Sequence, residues 1–172
     1  LLEFGEARPA LMHMRDAALK SESEGDLRMA RRATALSAYG SALQGDRADA
    51  ANKLAMLEGA PPDLETDAAR LASQYRVAMV SGPAEVADDC LRRLVKLLEE
   101  SGTPAHWFRF LPYIYANHVT PAFPDLARRM VAGALAAAGD GHVPLQSLAR
   151  SNEAWLLLWQ GRVAESRALA LQ

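Results

Sequence analysis

The chain has 172 residues, half of them hydrophobic and only 6% aromatic, with a formal net charge of −2. That balance gives no electrostatic reason for nucleic-acid binding, which concentrates Lys and Arg on one face. The single cysteine, Cys90, excludes an intramolecular disulfide framework and a cysteine-rich zinc site. With that one cysteine a reducing cytoplasm fits best, and the longest apolar runs, 134–138 and 155–159, fall far short of the roughly 20 residues that cross a bilayer, so a soluble protein is expected.

In chain order, a helix is predicted from Ala7 to Lys20, closed by the polar cluster Ser21-Glu22-Ser23-Glu24-Gly25. Asp26 is a good N-cap for a helix to about Gln44, which Gly45 terminates, and Asp46 caps the next, ending near Gly59. Pro61-Pro62-Asp63 forbids helix across the break. Asp63 then caps a helix to about Val80, and Ser81-Gly82-Pro83 turns into another that reaches Glu100. After Ser101-Gly102-Thr103-Pro104 comes the aromatic stretch from Trp107 to Tyr115, then Thr120-Pro121. A helix from Arg128 to Ala138 ends at Gly139-Asp140-Gly141, and two more lie before and after Gly161. The sum is about nine helices with no period-two strand pattern.

One phrase recurs: an apolar helix, a glycine-led break, then an amphipathic helix. It stands at Gln44-Gly45-Asp46, Ser81-Gly82-Pro83 and Gln160-Gly161-Arg162. With the first helix set aside, the others form four pairs starting near Asp26, Asp63, Pro104 and His142, spaced by roughly 37 to 41 residues, the interval of stacked helix hairpins.

These residues resemble the tetratricopeptide repeat. Ala38, Gly45 and Ala50 match its first small position, turn and second small position, followed by Leu54 and by Pro62 at the repeat boundary. Ala154, Gly161 and Ser166 match the same three places in the last pair. Tyr75 departs from the pattern where a small residue is expected, and the 117–124 connection has no glycine. Residues 152–165 look more specifically like the degenerate repeats of the large ATP-binding LuxR-type transcription regulators, in which a nucleotide-binding domain precedes a superhelical sensor region and a helix-turn-helix follows it. The resemblance implies an all-α, right-handed α-α superhelix of tetratricopeptide-like helix pairs. The chain contains no Gly-x-x-x-x-Gly-Lys-Ser/Thr loop and no basic recognition helix. It is therefore expected to be the sensor segment alone: one helical-repeat domain over 1–172, excised from a longer multidomain protein.

Two groups of residues are candidates for binding. Trp107, Arg109 and Tyr113 offer an aromatic pocket with a cationic anchor on the concave face, although Trp107, Phe110, Leu111 and Ile114 also have the spacing of a core stripe. Trp155 and Trp159 sit at i and i+4 and share a face. They either bind a ligand or pack against a further repeat, and both are expected to be partly exposed. The four histidines lack metal-site spacing. Cys90 follows two aspartates that disfavour a thiolate, and reads as a small core residue. No nucleophile signature occurs. The arginine pairs Arg31-Arg32, Arg92-Arg93 and Arg128-Arg129 read as solvated helix faces. The expected function is a noncatalytic sensor or interaction domain, without cofactor or metal, taking a protein segment or small effector in its groove and acting on flanking domains of the parent protein, with no direct nucleic-acid or membrane contact. A constitutive assembly scaffold is the alternative.

Overall fold

The computed structural model describes residues 7–111 and 122–171. Among these described residues there are nine helices and no strand: α1 (Ala7–Ser23), α2 (Leu27–Leu43), α3 (Arg47–Ala55), α4 (Leu64–Ser81), α5 (Ala84–Ser101), α6 (Pro104–Phe110), α7 (Pro124–Ala138), α8 (Val143–Trp159) and α9 (Val163–Ala170). All nine correspond to helices expected from the sequence. The main shift is at α7, which starts at Pro124 rather than Arg128. Proline at the first helical position gives up an amide that has no intrahelical partner, so the helix begins there at no cost.

Local chemistry sets the helix starts. Asp26, Asp46 and Asp63 each accept a hydrogen bond at 3.0 Å from the backbone N–H three residues on, those of Met29, Asp49 and Thr66. His142 does the same for α8, its Nδ1 accepting from Leu145 N at 3.1 Å. Each cap satisfies an amide that the first turn leaves unpaired.

The helix stops are more uniform than the sequence indicated. α1, α2 and α8 are each 17 residues long and end in the same paired closure. At the first, Asp26 N donates to Ser21 O (2.8 Å) and Gly25 N to Glu22 O (3.1 Å); at the second, Asp46 N to Ser41 O (3.0 Å) and Gly45 N to Ala42 O (3.2 Å); at the third, Arg162 N to Leu157 O (2.9 Å) and Gly161 N to Leu158 O (3.0 Å). This is the Schellman pattern, which requires a left-handed residue, and Gly25, Gly45 and Gly161 have φ of +80°, +81° and +76°. Gly82, expected to be a third copy of the Gly45 turn, is extended at φ −100° and ψ 175°. Pro83 is the cause, since proline drives the preceding residue out of helical conformations. The true set is Gly25, Gly45 and Gly161.

The chain divides into two compact units, Leu1–Leu94 and Val95–Gln172, with the boundary inside α5. In the first unit α2 is central, packing against α1, α3 and α4, while α3 also touches α4. Ala35, Ala38, Ala50 and Ala68 are completely buried, and side chains this small let helix backbones approach closely. Ser73 of α4 is also completely buried, with its Oγ 2.9 Å from the Ala35 carbonyl oxygen and 2.8 Å from that of Ala69. Tyr75 is buried as well, and burial pushes its phenol up to about 12.

At the start of α4, Asp63 Oδ1 accepts from Arg28 Nε (2.7 Å), and its two oxygens accept from Arg32 Nε (3.0 Å) and Nη2 (3.1 Å). Arg32 also pairs with Glu65 at 2.7 Å. Arg32 is therefore not part of a solvated face: it ties α2 to α4. The other arginine pairs do sit on the outside. Arg92, Arg93 and Arg128 bridge to Asp88, Asp89 and Asp125 on their own helices.

In the second unit α8 packs against α6, α7 and α9, and α6 against α7. Trp107, Phe110, Leu111, Leu126, Met130 and Leu145 are buried. Arg129 of α7 grips Glu99 of α5 through two hydrogen bonds.

Candidate binding groove

α8 divides its residues between two faces. Leu145, Ala149 and Leu156 are buried at helical spacing, whereas Trp155, Leu158 and Trp159 remain 45%, 43% and 55% exposed. The Schellman turn at Gly161 reverses the chain so that α9 runs back along α8. There Ser166 Oγ donates to the Ala154 carbonyl at 2.7 Å, fixing the two helices side by side at their small residues. α9 buries none of its own residues. Between the two helices lies an open groove of about 410 Å³. Ala154 and Ser166 lie at its floor, Trp155 and Leu158 on the α8 wall, and Leu169 and Ala170 on the α9 wall. Ser147, Arg150 and Ser151 complete the α8 side, and Arg150 has no ion-pair partner among the described residues. Such a surface takes up apolar matter through the indole and leucine, and offers one cation and two hydroxyls to orient it.

The residues singled out in the sequence separate in the structure. Trp107 is a correction: instead of lining an open concave face it is 1% exposed in the core of the second unit. Its ring lies over Gly133 of α7, where an added Cβ would come within 2.7 Å of the ring Cζ2. The core spacing of Trp107, Phe110 and Leu111 prevailed over the pocket, because Gly133 leaves a space that fits an indole. Arg109 is exposed on α6, away from the groove. Tyr113 lies outside the described residues. Trp155 lines the groove, and Trp159 is exposed one turn further along α8. Sequence reasoning missed Leu158 and Arg150. Leu158, three residues after Trp155, could have been found by extending the tryptophan face along the helix.

Two further hollows lie outside this groove. One of about 250 Å³ lies between α7 and α8, near Val131, Leu135, Leu156 and Leu157. Another of about 390 Å³ lies near Val77, Val86 and Cys90 in the first unit. Cys90 is buried, and that burial pushes its thiol up, with Asp89 adding to the effect, which disfavours the thiolate. Among the described residues no three His, Cys, Asp or Glu side chains are grouped to hold a metal ion, and no helix is long and apolar enough to cross a membrane.

The described residues define an all-α fold in which three of the helix connections, at Gly25, Gly45 and Gly161, close in Schellman turns. In comparisons with known proteins the chain matches no family model, no curated protein and no solved structure.

Proposed function

We propose that this chain is a noncatalytic helical-repeat domain that binds a protein segment or a small effector, its helix pairs stacking as a right-handed, tetratricopeptide-like superhelix. The groove between α8 and α9 carries the proposal, since Trp155 and Leu158 stand beside each other with nearly half their surface in water. Leaving a large apolar side chain exposed forgoes about 1.5–3 kcal/mol of burial, and neighbouring exposed apolar side chains mark interaction sites. Support for stacked repeats comes from the shared length and closure of α2 and α8, and from Ser73 of α4 bonding to Ala35 of α2, 38 residues earlier.

The resemblance of residues 152–165 to LuxR-type regulators supports a place in the cytoplasmic sensor region of such a regulator. Ligand binding would act on flanking domains to the extent that it favours one arrangement of the helix pairs over another. Reading the coding frame on both sides of the segment tests this assignment. An upstream phosphate-binding loop with a downstream helix-turn-helix supports it; further repeats alone, or a different effector domain, contradict it and favour a constitutive scaffold. For the binding role itself, Trp155→Ala in the full-length protein is expected to abolish the response to its ligand without altering the melting curve. An unchanged response contradicts it.

A further inference from the structure

We infer that the hollow of about 390 Å³ between α3, α4 and α5 is a binding site for a small uncharged molecule with an apolar body and one hydrogen-bonding group. The site lies in the first unit, apart from the α8–α9 groove, and stands independently of the role given to that groove.

Two consecutive hairpins of the first unit are in register. Asp26 and Asp63, the N-caps of α2 and α4, are 37 residues apart, and so are Arg47 and Ala84, the first residues of α3 and α5. In this register Ser41 corresponds to Ala78, Asp49 to Val86, and Lys53 to Cys90.

The first hairpin closes this place with a polar clasp. Ser41 Oγ donates to Asp49, and Lys53 Nζ donates both to Asp49 and, at 2.9 Å, to Ser41 Oγ. The second hairpin carries Ala78, Val86 and Cys90 at the same three positions, and all three line the hollow. The clasp has been exchanged for apolar side chains, and the space it occupied is open. Nothing at the turn refills it, because a Cβ on Gly82 would come within 2.9 Å of the Ala78 Cα, which disfavours a larger residue there. α3 ends after nine residues, whereas α4 and α5 each have 18, and Leu54 is what α3 contributes to the wall.

The lining specifies the ligand. Leu54, Val77 and Val86 form apolar walls, and Val86, which stands where the first hairpin has a carboxylate, is 47% exposed. Small-molecule sites combine such walls with a few polar groups that orient the ligand, in hollows of roughly 300–1,000 Å³. Gln74 is the polar group here. Its half-buried side-chain amide makes no hydrogen bond among the described residues, and it can both donate and accept. The charged residues of the lining, Asp89 and Arg93, pair with each other at 3.4 Å, so no unpaired ion is left to hold a charged ligand.

The test is a fluorescence titration of the intact 172-residue chain with N-phenyl-1-naphthylamine, an uncharged apolar probe with one N–H, read beside the rate at which N-ethylmaleimide alkylates Cys90, the single cysteine. Saturable enhancement of the probe is expected, together with slower alkylation of Cys90. Val86→Asp, which returns a carboxylate to the wall, is expected to weaken binding about tenfold or more, and Gln74→Leu, which keeps the bulk and removes the amide, about threefold to tenfold. Neither residue is in the core, and denaturant melts of both variants are expected to match the parent. Trp155→Ala is expected to leave both readouts unchanged. Absence of saturable enhancement overturns the inference, as does binding that leaves Cys90 unprotected or that either substitution fails to weaken. Binding lost in Trp155→Ala and kept in Val86→Asp would put the probe in the α8–α9 groove, which overturns this site and leaves the role of that groove standing.

Discussion

Arg32 of α2 meets Asp63, the N-cap of α4, through two hydrogen bonds, Nε to Oδ2 at 3.0 Å and Nη2 to Oδ1 at 3.1 Å. The contact joins residues 31 positions apart and makes one carboxylate both a helix cap and an interhelix clasp. Asp63→Ala is expected to cost about 2–3 kcal/mol in denaturant unfolding, roughly 1 from the cap and the rest from charge-assisted bonds to a largely buried pair. Asp63→Asn retains the cap and is expected to lose less. An Asp63→Asn variant as stable as the parent would show that the clasp contributes nothing.

The same carboxylate makes stability depend on pH. Hydrogen bonding from Arg32 holds the Asp63 carboxyl well below the usual range, against the opposing effect of burial. Its folded pKa is thus depressed, so its stabilisation is complete above the unfolded value of about 3.9 and is lost as the pH falls from there through the folded value. Melts below about pH 4 are expected to fall more steeply for the parent chain than for Asp63→Asn. Parallel curves would contradict the assignment.

Gly133 and Trp107 form a fitted pair. Glycine in mid-helix normally costs about 1 kcal/mol relative to alanine, so Gly133→Ala would stabilise an unconstrained α7. Here the new Cβ would lie 2.7 Å and 2.9 Å from the Cζ2 and Cη2 atoms of a buried ring. A net loss of about 1–2 kcal/mol is expected, with recovery in the Trp107→Phe background. Double-mutant unfolding measures the coupling, and additivity would refute it.

Gly45 faces open space but has φ +81°. Gly45→Ala is therefore expected to destabilise by about 1 kcal/mol through backbone strain alone, and Gly45→Asn by less, because asparagine tolerates the left-handed region. Thermal melts rank the three proteins, and an alanine variant as stable as the parent would contradict the turn geometry.

What the sequence made legible was local. Asp26, Asp46 and Asp63 cap residues three positions on, and Gly45 and Gly161 close turns within six residues, so short patterns suffice to find them. Gly82 misled because a glycine between two helices looks the same whether the chain turns left-handed or extends before Pro83. Trp107 could not be placed because its burial depends on Gly133 in another helix, and helical spacing suits a core stripe and a pocket wall equally well. The exposure of Trp155 and Trp159 was foreseen. The groove beside Trp155 was not, since it depends on how α9 lies along α8, and only the Ser166 to Ala154 hydrogen bond reveals that.

The open groove is read most directly from the state of Trp155. In a variant with Trp107 and Trp159 replaced by phenylalanine, the emission of Trp155 and its quenching by acrylamide report solvent access. The expected result is a red-shifted, readily quenched indole in the free chain. A blue-shifted indole already protected from acrylamide in the free chain would contradict an open groove.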